Sequence, residues 1–263
     1  MFELLIVGCG KMGRAILDGI IKVGQVDIAD IAVFDTDTSA IASLLTEYPG
    51  VTVVDHIADA QVVVVATKPN SVASVSQSID FSNDPLVISI AAGIATYDIE
   101  KAVQPRKVRV VRAMPNTPGQ IGLGITALCA GEFATKHDLE SATRLLGGLG
   151  DVVAVPEYQM DAITAISGSG PAYLFMYIEA MIDSAIELGL SRELSAQLVT
   201  KTVLGSTQLL IENNYDTMSM RLAVSSPGGT TIAGTNSLER TGFRASINSA
   251  VRAAFERSRT IKA

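Results

Sequence analysis

Three glycines near the start of the chain have the spacing that phosphate binding requires. Gly8-Cys9-Gly10-Lys11-Met12-Gly13 matches G-x-G-x-x-G. In that pattern the first glycine allows a tight turn, the second lets backbone approach a pyrophosphate, and the third lets a helix pack close to a strand. The motif alone is a weak signal, and its setting strengthens it. It follows directly on the apolar run Leu4–Val7 and opens a stretch with helical spacing, Lys11–Val23. The free N–H groups and positive dipole end of that helix would then face the phosphates. Asp35 ends a second apolar run about 20 residues beyond Gly13, near where an acid that accepts from a ribose 2′-hydroxyl belongs. With Thr36 it lies in the run Phe34-Asp-Thr-Asp-Thr38, which contains no arginine. A carboxylate there repels a 2′-phosphate, so the run favours NAD over NADP. The same glycines would also serve a ligand-free strand-to-helix turn, and Asp35 a solvated strand end.

Further candidates sit at the ends of other apolar runs. Ala66-Thr67-Lys68-Pro69 follows Val62–Val65, and Ala91-Ala92-Gly93 follows Val87–Ile90. Small residues there leave room for a ribose and a nicotinamide outside the carboxyl ends of the strands. Lys68 could reach a phosphate or hydroxyl, or be an exposed loop residue. Asn116, bracketed by Pro115 and Pro118, is an amide partner for a nicotinamide or substrate, or part of a structural loop. Ser225-Ser226-Pro-Gly228-Gly229-Thr230-Thr231 leads into a short helical stretch, Thr231–Glu239. Its hydroxyls and main-chain N–H groups would form a nest for a small carboxylate, or simply cap a helix.

A missing residue type also matters. Ketone reduction needs a proton for the nascent alkoxide, a task usually given to histidine or lysine. His56 and His137 fall in none of these motifs. An imine can bind already protonated and accept hydride to give an amine, so the pattern points to a carbon–nitrogen bond.

The elements that would position these groups change character along the chain. To about residue 155, Val- and Ile-rich runs without polar alternation recur at Leu4–Val7, Ile31–Phe34, Val51–Val54, Val62–Ala66, Leu86–Ile90, Val108–Val111, Ile125–Cys129 and Val152–Val155. Helical spacing separates them at Lys11–Val23, Ser39–Glu47, Pro69–Ser78, Tyr97–Val103 and Ala134–Leu146. Uninterrupted apolar strands alternating with helices predict an α/β fold, a Rossmann-type doubly wound parallel sheet. Beyond Pro156 the pattern predicts helices at Ala172–Leu188, Arg192–Asn213 and Phe243–Arg259, separated by punctuation at Ser167–Pro171 and Ser225–Thr231. The expected division is a dinucleotide-binding domain over 1–152 and an all-α dimerisation and substrate-binding domain over 153–263.

Composition narrows the function classes. Asp plus Glu number 27 against 20 Lys plus Arg among 263 residues, a formal charge of −7. With no Trp and no basic run, a nucleic-acid partner is not expected. Two cysteines, Cys9 and Cys129, and two histidines make neither a disulfide framework nor an expected metal site. The apolar start lacks the basic flank and cleavage pattern of a signal peptide. In Pro171–Leu190, Glu179, Asp183 and Glu187 share one helical face and argue against membrane insertion. A cytoplasmic globular protein is expected. The helices of residues 172–211 are too apolar around their circumference to be buried within one small domain, which predicts an obligate dimer.

Gly8-Cys-Gly-Lys-Met12, Ala66-Thr-Lys-Pro69, Arg112-Ala-Met-Pro-Asn-Thr-Pro118, Ser167-Gly-Ser-Gly-Pro-Ala-Tyr173 and Val224-Ser-Ser-Pro-Gly-Gly-Thr-Thr231 together resemble the pyrroline-5-carboxylate reductase family. The resemblance runs from residue 3 to about 259. It implies NADPH- or NADH-dependent reduction of 1-pyrroline-5-carboxylate to L-proline, the last step of proline biosynthesis, by a homodimer that can assemble into a decamer of five dimers. It also implies that the loop Gly8–Gly13, the Ala66–Pro69 turn and the Ala91–Gly93 turn contact the cofactor. Ser226 and the turn from Gly228 to Thr231 would hold the substrate carboxylate, with Thr231 near the ring nitrogen. Asp35 and Asp37 depart from the small polar or basic residues of NADPH-preferring members. Two other readings compete. A hydroxyacid dehydrogenase would need a catalytic lysine, for which Lys201 is the only internal choice. A dinucleotide sensor would have no need for a carboxylate nest.

Overall fold

The computed structural model describes residues 1–261. Eight strands form one sheet: β1 (Phe2–Val7), β2 (Ile31–Phe34), β3 (Thr52–Val53), β4 (Ala60–Val65), β5 (Leu86–Ser89), β6 (Arg109–Met114), β7 (Gly124–Ala130) and β8 (Gly150–Ala154). Their order is β3-β2-β1-β4-β5-β6-β7-β8. Helices α1 (Lys11–Val23), α2 (Thr38–Glu47), α3 (Val72–Gln77), α4 (Thr96–Ala102) and α5 (Lys136–Leu146) connect the strands.

Two-sided burial explains the uninterrupted apolar runs. Successive side chains of a strand point to opposite faces. Leu4 and Ile6 accordingly join Ile16, Leu17 and Ile20 of α1 in one core cluster. Leu5 and Val7 join Val63, Val65 and Val110 in the other. Each fully buried side chain of this kind contributes about 1.5–3 kcal/mol of transfer free energy. The chain leaves β1 for β2 on one side and returns to β4 on the other. Strand order therefore reverses beside β1, and a crevice opens there at the carboxyl ends of the strands.

The sheet is parallel except at one junction. β7 runs antiparallel to β6, with Arg112 opposite Cys129, so this one strand departs from the expected parallel pairing of the doubly wound sheet. The connection from Met114 to Gly124 holds only a 3₁₀ turn, Thr117–Ile121, and a parallel return needs a crossover of a dozen or more residues. β7 and β8 then pair in parallel across α5.

After β8 come α6 (Met160–Ile163), α7 (Gly170–Glu187), α8 (Arg192–Glu212), α9 (Thr217–Ala223), α10 (Thr230–Arg240) and α11 (Phe243–Thr260). The expected punctuation at Ser167–Pro171 is helical instead. A π-helical stretch, Thr164–Gly168, leads through a bend at Ser169 into α7. Pro171 is tolerated because it lies in the first turn, where its missing N–H would have no partner anyway. α9 has no counterpart in the sequence reading. Its signal was Asp216, whose carboxylate caps the N–H of Ser219 at 3.0 Å.

By packing, the chain forms two compact units, Met1–Pro171 together with the chain from Ala253 onward, and Ala172–Arg252. The expected boundary at 152/153 falls at β8. Residues beyond it pack with the sheet, as Met160 does against Ala127 and Cys129. Among the described residues, packing within the chain buries none of α7. Among the described residues no helix is long and apolar enough to cross a membrane.

Candidate functional site

A cleft of about 570 Å³ lies in the first unit at the ends of β1, β2 and β4. Its lining includes Gly8, Gly10, Asp35, Thr36, Asp37, Ala66, Thr67 and Lys68 from the expected sites and their neighbours. Gly8 has φ +105°, and a side-chain carbon there would sit 2.6 Å from the carbonyl oxygen of Ala66. At Gly13 such a carbon would collide with the carbonyl oxygen of Gly8, so these two glycines keep loop, helix and β4 in close contact. Gly10 differs: nothing lies within 4 Å of where its side chain would be. It is the extended N-cap of α1 and makes no side-chain cap, so ligand phosphate can approach bare backbone.

Asp35 ties the two sides of the cleft together. Its Oδ2 accepts from the Cys9 N–H at 2.6 Å and its Oδ1 from the Asp37 N–H at 2.9 Å. Asp37 accepts from Ser39 N–H at 2.9 Å, Ser39 O–H at 2.6 Å and Ala40 N–H at 3.3 Å. The Ser39 hydroxyl and backbone donors hold its carboxyl below the ordinary range. Cys9 and Met12 contribute to the core rather than the cleft wall. Burial and the Asp35 carboxylate push the Cys9 thiol up to about 12, so it stays protonated and unreactive at neutral pH.

A dinucleotide fits this cleft. The volume lies in the range of ligand pockets, Gly10 leaves space at a helix N-terminus, and Asp35 keeps lone pairs for ribose hydroxyls. The buried hydroxyl of Thr67, without a hydrogen-bond partner, supplies a polar group with no protein use.

Lys68 caps a 3₁₀ turn, Pro69–Ser71, which brings Ser71 and Ser74 to the cleft wall. No motif announced those serines. Ala91, Ala92 and Gly93 follow β5 but do not line the cleft, and Ile261 packs against Gly93. Asn116 is held at both ends of its amide. Its Oδ1 accepts from Ile125 N–H at 3.0 Å, and its Nδ2 donates to Ser167 Oγ at 3.1 Å. In the same unit, Arg112 is 3% exposed and donates to Glu157 at 2.8 Å. Glu157 also accepts from the Thr96 hydroxyl at 2.6 Å. Burial opposes the Glu157 charge, but Thr96 and Arg112 outweigh it and hold the carboxyl below its ordinary value. Sequence reasoning missed this network because its partners are far apart in the chain.

In the second unit, Ser226, Gly228, Gly229, Thr230 and Thr231 gather at the start of α10. Gly228 has φ +71°, and a side chain at Gly229 would strike Ser226 Oγ at 2.5 Å. Gly229 caps α10 without a side chain, so among the described residues no side-chain cap engages the first helical N–H groups. Lys201 is exposed on α8 and no side-chain hydrogen bond or ion pair engages it among the described residues.

Residues 157–261 match the family described as pyrroline-5-carboxylate reductase dimerisation. A pyrroline-5-carboxylate reductase of Mycobacterium tuberculosis is 35% identical over all of this chain and 97% of its own length. The chain belongs to the pyrroline-5-carboxylate reductase family. Residues 3–93 also match the family described as NADP oxidoreductase coenzyme F420-dependent. The Escherichia coli reductase is 33% identical over 96% of this chain and 95% of its own. Among solved structures, the Coxiella burnetii pyrroline-5-carboxylate reductase superposes with a TM-score of 0.89 at 33% identity, covering 100% of this chain and 99% of that one. The Plasmodium falciparum enzyme, solved with NADP bound, superposes at 0.88 with 29% identity, covering 98% and 97%. Membership in the pyrroline-5-carboxylate reductase family agrees with the resemblance in the sequence motifs and with the Rossmann-type sheet followed by helices.

Proposed function

We propose that this chain reduces the C=N bond of 1-pyrroline-5-carboxylate to give L-proline, the closing step of proline biosynthesis. The observation that carries the reading is a whole-length match to the reductases in a chain whose glycine loop, Asp35 and unpartnered Thr67 hydroxyl converge on one dinucleotide-sized cleft. When bound, a reduced nicotinamide cofactor supplies the hydride that the imine carbon accepts.

The protein's own share is binding and positioning. Gly10 and the N-terminus of α1 receive the pyrophosphate, and Asp35 accepts from the adenosine ribose. Ala66, Thr67, Lys68 and Pro69 flank the same cleft, while Ala91–Gly93 and Asn116 border the strand ends beside it. NADH is the preferred donor over NADPH, because Asp35 and Asp37 put two carboxylates where a 2′-phosphate would otherwise lie. Ser226 and the backbone donors from Gly228 to Thr231 hold the substrate carboxylate, and the Thr231 hydroxyl faces the ring nitrogen. The nitrogen carries its proton on arrival, so no side chain has to supply one during hydride transfer. Held in place, the substrate reacts without the entropy cost of a bimolecular encounter.

Residues 157–261 assemble two copies as a homodimer, with a decamer of five dimers as the larger form. The cytoplasm, where thiols stay reduced, suits the buried free cysteines Cys9 and Cys129. Initial rates with NADH and with NADPH on pyrroline-5-carboxylate test the activity. Turnover with the imine, faster with NADH, is the expected result, and no turnover with either donor would refute it.

A further inference from the structure

We propose that Glu157 is a positioning residue for hydride transfer, one carboxylate that fixes, relative to each other, the two strand-end turns on which the nicotinamide end of the cofactor rests. The inference rests on the proposed reduction and names a residue to which that reading gives no part. Strand register places the turns. Val7, Val65, Ser89 and Arg112 pair in one row across β1, β4, β5 and β6. The chain therefore leaves all four strands along one rim. It runs into the glycine loop, the Ala66–Pro69 turn, the Ala91–Gly93 turn and the Met114–Asn116 segment. The first two supply walls of the cleft, and the other two continue its rim away from Asp35.

The third turn is anchored from outside. Gly93 sits at φ +76°, and Ala95, the N-cap of α4, has no side-chain oxygen to offer the helix. Glu157, 61 positions away from Thr96, supplies the acceptor. Its Oε2 takes the Thr96 O–H at 2.6 Å and the Thr96 N–H at 3.4 Å. Its Oε1 takes the Arg112 guanidinium at 2.8 Å, two residues before Met114. The charge on Glu157 is thus balanced on the very strand that it anchors. Asn116, farther along the same segment, is itself held by Ile125 and Ser167. The two carboxylate oxygens therefore set the spacing between the start of α4 and the end of β6. Glu157 does not line the dinucleotide cleft and acts only through the turns it holds. Hydride transfer needs its reacting atoms about 3–3.5 Å apart, so a small displacement of either turn costs rate.

The test is equilibrium binding of NADH and of 5′-ADP to the full-length protein by calorimetry, with initial rates alongside. Wild type is compared with Thr96→Val, Thr96→Ser, Glu157→Gln and Ser258→Ala. 5′-ADP reports the glycine loop and Asp35, and the difference between the two ligands reports the nicotinamide end. Valine keeps the bulk of Thr96 without its hydroxyl, and serine restores the hydroxyl. Ser258→Ala removes a buried hydroxyl bond to Asp161 at 2.7 Å, on the segment that carries Glu157, and is the control for stability alone. Thr96→Val is expected to narrow the NADH to 5′-ADP affinity ratio roughly tenfold, the scale of one lost hydrogen bond to a charged group. It should also lower kcat about tenfold or more, with 5′-ADP binding retained. Glu157→Gln is expected to follow it, and Thr96→Ser to recover both quantities. Ser258→Ala is expected to lower Tm with ratio and kcat unmoved. A ratio unmoved in Thr96→Val or Glu157→Gln, no recovery in Thr96→Ser, or an equal fall in Ser258→Ala overturns the inference alone. Binding of neither NADH nor 5′-ADP by wild type overturns the dinucleotide reading itself.

Discussion

The carboxylate of Asp35, at the end of β2, accepts the backbone N–H of Cys9 in the glycine loop at 2.6 Å. One side chain thereby fixes the shape of the glycine loop and lines the cleft proposed to take the ribose. Asp35→Ala is expected to raise the NADH KM about tenfold or more, the scale of a lost charge-assisted hydrogen bond. kcat should fall less than kcat/KM. Steady-state kinetics with varied NADH at saturating imine check this.

The three motif glycines are expected to separate by mechanism. At Gly10 φ is −67° and a methyl group meets nothing within 4 Å, so Gly10→Ala should leave Tm nearly unchanged while weakening dinucleotide binding. Gly13→Ala collides with the Gly8 carbonyl and should destabilise by about 1–3 kcal/mol, the scale of overpacking. Thermal melts with and without NADH distinguish the two outcomes.

The half-buried Glu157 and the buried Glu100 predict opposite pH trends. Glu157 sits below its ordinary pKa in the fold, so it binds fewer protons folded than unfolded. Its contribution is present above the unfolded value and is lost as pH falls through the folded one. Glu157→Gln should therefore cost most at neutral pH and least below about pH 4. Glu100 is raised by burial, with the nearby Glu132 and Glu157 charges adding to the effect. Its sign is reversed, and Glu100→Gln should gain on wild type as pH rises from about 4 toward neutrality. Urea titrations across that range measure both. Arg112→Met takes the cationic partner from the half-buried Glu157, which keeps only the Thr96 donors, and should cost about 1–3 kcal/mol.

Substrate capture is assigned to a turn without arginine. Thr231→Ala and Ser226→Ala should each raise the KM for pyrroline-5-carboxylate several-fold, as expected when a hydrogen bond of about 1 kcal/mol or more is lost, with the NADH KM unchanged. Proline titrations report the same loss without turnover. An unchanged substrate KM in both variants would refute the assignment.

Among the described residues none of α7 is fully buried, with Phe175 64% and Met176 69% exposed, and it lies in the matched dimerisation region. Placing charge there, as in Phe175→Lys with Met176→Glu, should convert the assembly to monomer and abolish activity. Light scattering at micromolar concentration checks the first outcome and the standard assay the second.

Much of the fold was legible because strand burial, helix periodicity and glycine spacing are local. Leu4–Val7, the helix after Gly10 and Asp35 at its strand end all follow from residue type and short-range order, as do α7, α8, α10 and α11. The whole-chain family resemblance was equally readable from ordered motifs. Only tertiary structure decided how distant groups pair. The reversal of β7 depended on the shortness of one connection. The Arg112–Glu157–Thr96 network joins residues separated by up to 61 positions, and its burial and hydrogen bonds set the carboxyl's pKa. The capping of α2 by Asp37 was hidden for the same reason. Its sequence shows a second acid after β2, whereas the hydrogen bonds to Ser39 and Ala40, which exist only once α2 has formed, decide which donors remain for a ligand.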